Sequence, residues 1–303
     1  MIYSSDESVT EDFVSPINSL RFVVEELAGR GSWGEVFYAT DTRTGRRGAI
    51  KIINPTPIAE EQKLRRGWDN KGVITRDVPS SGPYENVLHT ELFHDDDGKE
   101  FVWMPSRVSH TLEDELLGLD NDRMSDNPAN RRLGMKRIEE LALGIANGLE
   151  NVHQGLHIIH RDLKPKNVLI EESSFRPLIA DFGSSTIIDG SKTKDCVGDI
   201  CIKSYEIARN DSSGHVHSDI FSLGQVVGRM LIGSYLHQEV VSNAINPNKA
   251  LAEISEGVAK ASLEDYVSKA PKAFRKVLKK SLAYNPNDRY KSAEDLRDDL
   301  VKA

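Results

Sequence analysis

The run His160-Arg161-Asp162-Leu163-Lys164-Pro165-Lys166-Asn167 places a carboxylate, an ammonium and a carboxamide within six residues, Asp162 to Asn167. Pro165 lies between them. It has no N–H to give and a fixed φ, so the run is expected to be a loop held in one shape rather than a helix. The apolar Val168-Leu169-Ile170 follows at once and reads as a short buried strand. A second carboxylate then arrives in Ala180-Asp181-Phe182-Gly183, at a turn after the apolar segment Pro177 to Ala180. A base, a cation and two magnesium ligands are what phosphoryl transfer asks of a polypeptide, because catalysis there is positioning plus charge neutralisation.

Such groups need elements to hold them. Phe22-Val23-Val24 begins a strand pattern that runs into Gly29-Arg30-Gly31-Ser32-Trp33-Gly34-Glu35-Val36, a G-x-G-x-x-G spacing. Glycines let backbone amides close over phosphate oxygens with no Cβ in the way. The same spacing could be a dinucleotide fingerprint, but that motif opens a helix, whereas Phe37-Tyr38-Ala39 here continues as strand. Gly48-Ala49-Ile50-Lys51-Ile52 sets one lysine in an apolar strand, a pattern that taken alone also suits a lysine snorkelling at a sheet edge. Val87 to Leu92 and Glu100 to Met104 read as two more strands joined by a turn at Asp95-Asp96-Asp97-Gly98. His94 beside those aspartates is read as part of a solvated turn rather than a metal site. From Thr111 the pattern is mainly helical. Ile138, Leu141, Ala142, Ile145, Leu149 and Val152 form a stripe of helical period, and Ser218 to Leu231 is apolar on several sides, which suits full burial. His215 and His217 form an H-x-H without a third ligand nearby, so a surface loop is expected there.

Composition bounds the rest. The 303 residues suit one large or two moderate domains, and 38% hydrophobic residues are enough for a core. Lys and Arg total 39 against 47 Asp and Glu, a net charge of −8 that argues against nucleic acid as the main partner. No apolar run approaches the roughly 18 residues of a membrane-spanning helix. Residues 1–19 are acidic and Ser-rich and read as a mobile tail, and the first residues lack the basic and apolar regions of a signal peptide. Cys196 and Cys201 are the two cysteines, so no disulfide framework is expected, and the expected compartment is the cytosol.

Together, the His160–Asn167 run, the Asp181 turn, the glycine-rich hairpin and the Lys51 strand resemble the protein kinase family, serine/threonine branch. The resemblance covers residues 20–303 and implies an α+β, two-lobe fold: a small, mainly β lobe over about 20–104, a hinge at about 105–108 and a larger helical lobe over about 109–303. It implies ATP and Mg²⁺ as cofactors and a protein substrate. Asp162 would accept or orient the substrate hydroxyl proton, and Lys164 would stabilise the transferring phosphoryl group. Asn167 and Asp181 would hold Mg²⁺, with Lys51 on the nucleotide phosphates. Gly29, Gly31 and Gly34 would cover those phosphates, while Val36, Ala49 and the gatekeeper Met104 would line the base. The backbone of Pro105, Ser106 and Arg107 would meet the adenine edge, Pro105 through its carbonyl.

The family also expects an acid on the next helix to pair with Lys51, for which Asp69 and Glu61 are the candidates. Tyr205-Glu206 stands where the family has Pro-Glu, and Arg289 in Asn285-Pro286-Asn287-Asp288-Arg289 matches the late arginine that pairs with that glutamate. Arg161 would answer a negative charge on the activation loop. The family's usual spacing ahead of Glu206 falls on Asp195, with Thr193 and Ser191 upstream as phosphate acceptors. Two other readings remain open: a scaffold of the same fold without turnover, and a small-molecule phosphotransferase of kinase-like fold.

Overall fold

Alternating apolar residues over 22–53 and 91–104 build one antiparallel sheet. Its strands are β1 (Phe22–Gly31), β2 (Gly34–Asp41), β3 (Arg47–Ile53), β4 (Glu91–His94) and β5 (Glu100–Met104), in the order β1-β2-β3-β5-β4. The computed structural model describes residues 17, 19–31, 34–53, 84–123, 128–188, 200–209, 216–256 and 263–303. Within them the chain divides into two compact units, one containing this sheet and one containing 84–88 and everything from Val108 onward. The expected N-terminal tail, apart from Ile17 and Ser19, lies outside the described residues.

Strand periodicity of two sorts the sheet's side chains onto two faces. Phe37, Ile50 and Trp103 lie in register and share a core with Phe22, Ala39, Ile52 and Phe101. The Phe22 ring meets Phe93, Phe101 and Trp103 at centroid distances of 5.2, 5.5 and 4.9 Å. Arg21 covers the edge of this cluster and donates to the buried Asp41 at 2.8 Å, and that hydrogen bond holds the Asp41 carboxyl below its ordinary range. The opposite face carries the row Tyr38–Ala49–Met104 and the row Val36–Lys51–Val102. Gly48 is required by close approach: a Cβ there would collide with the Met104 carbonyl oxygen and the Trp103 ring.

The larger unit begins with β6 (Val108–Thr111), α1 (Leu112–Arg123) and α2 (Pro128–Glu150), followed by β7 (Ile158–Ile159), β8 (Val168–Glu171), β9 (Pro177–Ile179) and β10 (Thr186–Ile187). Its remaining helices are α3 (Tyr205–Ala208), α4 (Val216–Ile232), α5 (Gln238–Asn243), α6 (Pro247–Ser255), α7 (Leu263–Ser268), α8 (Arg275–Ser281) and α9 (Ala293–Val301). The stripe read from the sequence is buried along its whole length, from Ile138 to Val152. Helix α4 is buried on all sides over Ser218–Gly228, and Gly224 lets it approach α8, where a Cβ would strike Ser281. Among the described residues no helix is long and apolar enough to cross a membrane.

Three local expectations are corrected. The strand expected over Val87–Leu92 starts instead at Glu91, and 84–88 belong to the larger unit. Asn86 takes φ 63° and turns the chain; its backbone carbonyl accepts from Ile179 N at 2.8 Å, and Val87 makes a parallel bridge to Ile179. Asn86 Nδ2 donates to Pro177 O at 2.9 Å and its Oδ1 accepts from Asn147 at 3.0 Å, so side-chain bonds override strand propensity. His217 is not in a loop but in the first turn of α4, while His215 lies outside the described residues. The turn at 95–98 forms as expected. Asp95, however, is buried rather than solvated, and its Oδ1 accepts from the amides of Asp97 and Lys99. Among the described residues no cluster of three or more His, Cys, Asp or Glu is placed to hold a metal.

His237 is fully buried against Tyr205 and Phe221, at 5.2 and 5.5 Å between rings, and among the described residues neither ring nitrogen has a hydrogen-bond partner. Burial first, and the Arg289 charge second, push its pKa down to about 3. The folded chain therefore keeps His237 neutral where the unfolded chain takes up a proton near pH ~6.5. Stability from this site is full above about pH 6.5 and is lost as pH falls towards about 3. Urea unfolding at about pH 7 and about pH 4.5 should show His237→Phe losing about 2–3 kcal/mol less than the parent between the two. Equal losses would show that His237 is not a source of acid sensitivity.

Candidate active site

Asp162, Lys164 and Asn167, the polar residues singled out in the sequence, are brought together in the larger unit by a loop between β7 and β8. Pro165–Asn167 is a single 3₁₀ turn with Pro165 in its first position, so the proline ends the loop and launches β8. Within that turn Asn167 is buried, and its Nδ2 donates to Asp162 O at 2.7 Å and to Asp162 Oδ2 at 3.0 Å. Lys164 Nζ reaches the same Oδ2 at 2.8 Å. One carboxylate oxygen thus takes both a cation and an amide, which fixes the Asp162 rotamer and directs its other oxygen, Oδ1, as the remaining acceptor.

The loop is held from below. Asp219 on α4 is fully buried; its Oδ2 accepts from His160 N at 2.7 Å and from His153 Nε2 at 2.8 Å, and its Oδ1 accepts from Arg161 N at 2.8 Å. Burial alone would raise the Asp219 carboxyl. The His153 hydrogen bond, the His153 and His160 charges and the Arg161 amide more than offset this and leave it below the ordinary carboxylate range. Arg161 can turn its amide toward Asp219 because it sits at φ 68°, a conformation disfavoured for a side-chain-bearing residue. The sequence reading gave Asp219 and His153 no role, and no local spacing signals one, since they stand 58 to 66 residues from their partners.

The second carboxylate is tied to the same loop. Ala180 N donates to Asn167 O at 2.9 Å, and His160 Nε2 lies 3.0 Å from Ala180 O, with the His160 ring 5.1 Å from that of Phe182. Asp181, next in the chain, is exposed and has φ 61°. A strained backbone at a polar turn is a mark of functional sites. The Asn167 amide nitrogen is committed to Asp162, which leaves its carbonyl oxygen as a hard donor; the Asp181 carboxylate, one residue beyond the Ala180 N that bonds to Asn167 O, is a second. That donor chemistry fits a small divalent cation such as Mg²⁺.

In the smaller unit, register places Val36, Ala49, Lys51 and Met104 on the face away from the aromatic core. Gly29 and Gly31 end β1 and Gly34 opens β2, with Gly31 and Gly34 paired across the hairpin. Among the described residues a Cβ at Gly29 would meet nothing within 4 Å, so packing there does not call for this glycine, whereas close approach of a phosphate to the backbone would. Pro105, Ser106 and Arg107 follow β5 directly. Asp69 and Glu61, the candidate partners of Lys51, lie outside the described residues, as do Asp195, Thr193 and Ser191 of the activation loop.

The late arginine finds its glutamate. Arg289 Nη1 and Nη2 donate to Glu206 Oε1 and Oε2 at 2.7 and 2.8 Å, and both side chains are buried. Burial would raise the Glu206 carboxyl, but the Arg289 hydrogen bonds and charge leave it lowered. Tyr205, at the position where the family has proline, packs its ring 5.4 Å from Phe221 and 4.7 Å from Tyr284.

Residues 22–301 match the family model described as the protein kinase domain. The chain is 28% identical over 291 residues to a probable serine/threonine-protein kinase PknB of Bifidobacterium longum, covering 93% of this chain and 39% of that protein. It is 25% identical to serine/threonine-protein kinase C of Synechocystis, covering 92% of this chain and 50% of that one. Over 68% of its length it is 31% identical to receptor-interacting serine/threonine-protein kinase 3 of Rattus norvegicus, covering 40% of that protein. The chain thus spans half or less of the length of each of these relatives.

Proposed function

The chain belongs to the protein kinase family, and from that we propose that it transfers the γ-phosphate of ATP to serine or threonine hydroxyls of protein substrates. The observation that carries this reading is the Asp162 carboxylate, clasped by Lys164 and Asn167 on a loop anchored to buried Asp219. With Oδ2 occupied, Asp162 Oδ1 is the atom to accept the proton of the attacking hydroxyl. Lys164 brings positive charge to that position, where negative charge develops on the oxygens of the moving phosphoryl group. Asn167 and Asp181 would hold Mg²⁺, which when bound neutralises phosphate charge and fixes its geometry. On the smaller unit, Lys51 would contact the nucleotide phosphates, with the amides of Gly29, Gly31 and Gly34 closing over them. Val36, Ala49 and Met104 would offer the base an apolar surface, and the Pro105 carbonyl and Arg107 backbone would read its edge. The proposed compartment is the cytosol, in keeping with two cysteines that provide no disulfide framework.

Incubating the purified chain with γ-labelled ATP, Mg²⁺ and a generic protein substrate, followed by phosphoamino-acid analysis, tests the reading. Label on phosphoserine or phosphothreonine is the expected result. Nucleotide binding without transfer would mark a scaffold, and label confined to small molecules a different phosphotransferase; either outcome overturns the proposal.

A further inference from the structure

On the smaller unit, the face that carries Lys51 ends in a polar cluster drawn from four separate segments. Tyr38 of β2 lies in the row Tyr38–Ala49–Met104, so its ring is separated from the Met104 strand only by the small side chain of Ala49. Arg107, three residues beyond Met104, places its guanidinium carbon 4.5 Å from the centre of the Tyr38 ring. Both residues are half-buried. Glu25 of β1 supplies the counter-charge: its Oε1 accepts from Thr40 at 2.8 Å and its Oε2 from Arg47 of β3 at 3.2 Å. The Thr40 bond chiefly, then Arg47, with the Arg107 charge contributing, hold Glu25 below its ordinary range.

This contact matters because of what lies between Met104 and Arg107. Pro105 donates no backbone hydrogen bond, so the chain leaving β5 has one fewer tie to the sheet than an ordinary residue would supply. The Arg107–Tyr38 stack replaces that tie with a side-chain contact. Arginine suits the task, since a planar, weakly hydrated guanidinium stacks on an aromatic face while its edge still faces water.

We propose that Arg107, through its stack on Tyr38, is a positioning residue that fixes the Pro105–Arg107 backbone for nucleotide binding. The inference rests on the nucleotide-binding reading of this face and adds to it a side-chain role for Arg107. The stack holds the backbone carbonyls and amides of the segment at a set distance from β2, so the base meets a preformed edge. Losing the stack costs binding, because the segment must then be ordered by the nucleotide itself.

The test combines calorimetric titration of Mg·ATP with steady-state kinetics. Arg107→Ala and Tyr38→Leu should each raise the Kd and KM for ATP about three- to tenfold, the scale of one half-buried cation–π contact, while kcat falls by less than about twofold. The double variant should be no worse than either single one, because both remove the same contact. Tyr38→Phe keeps the ring and should restore the parental KM. A purely structural role would instead lower thermal stability and kcat together and raise the KM for protein substrate as well. An unchanged KM for ATP in Arg107→Ala, or effects that add in full in the double variant, overturns this inference and leaves the function standing. Parent protein that binds no Mg·ATP overturns both.

Discussion

Asp162→Asn should reduce phosphotransfer at least about a hundredfold, the scale of a lost general base, with Mg·ATP binding and the unfolding midpoint close to the parent's. The substitution is nearly isosteric. The amide oxygen can still accept from Lys164 Nζ or Asn167 Nδ2, which meet Asp162 Oδ2 at 2.8 and 3.0 Å, so the loop keeps its shape. What is lost is the negative charge and the basicity of Oδ1. The anchor of the loop is unaffected, because Asp219 bonds to backbone amides of His160 and Arg161 rather than to the Asp162 side chain. Initial rates with saturating ATP, set beside a urea melt of each protein, separate chemistry from folding. Near-parental turnover in Asp162→Asn would falsify the assignment of the base. A large stability loss would mean instead that the carboxylate's main work is structural.

Removing one partner of the buried Arg289–Glu206 pair should destabilise the larger unit by about 3–5 kcal/mol, the usual cost of leaving a buried charge without its counter-ion. In Arg289→Ala, Glu206 would lose its counter-ion and keep neutral donors such as the Ser218 hydroxyl, 2.8 Å from Oε1, against nearly full burial of a carboxylate. The substitution also deprives the carbonyls of Ala283, His217 and Tyr284 of their donors and uncovers the Phe221 ring, which the guanidinium overlies at 4.8 Å. Replacing both partners, as in Glu206→Gln with Arg289→Met, should recover part of the loss, since no charge is then stranded. The check is a double-mutant cycle by urea unfolding at neutral pH. A loss below about 1 kcal/mol for Arg289→Ala, typical of an exposed ion pair, would show that the pair does not anchor the 205–208 segment.

The sequence by itself determined the parts of this protein whose geometry depends on near neighbours. Asp162, Lys164 and Asn167 meet because a six-residue loop broken by Pro165 has few other ways to fold, so types and spacing sufficed to expect their clustering. Strands β1, β2, β3 and β5 and the stripe along α2 were legible because burial imprints its period directly on the chain. Motif resemblance added pairings such as Arg289 with Glu206, which the structure reproduces beside Tyr205, the residue that stands in place of the family's proline.

Only the tertiary structure decided what spans long separations or depends on solvent exclusion. Asp219 reads as one more polar residue at a helix start, yet full burial and three donors from two distant segments make it the anchor of the His160–Asn167 loop. Val87 and Leu88 have the composition of a strand, but the left-handed turn at Asn86 and its bonds to Pro177 and Asn147 assign them to the other unit. Tyr38 and Arg107 carry no joint signature across their long separation in the chain and meet only because sheet register brings Tyr38 into the row of Met104. The physical reason is the same in each case. Hydrophobic periodicity and turn chemistry act over a few residues, whereas the strength of a buried carboxylate or a stacked guanidinium is set by which distant groups remove water from around it.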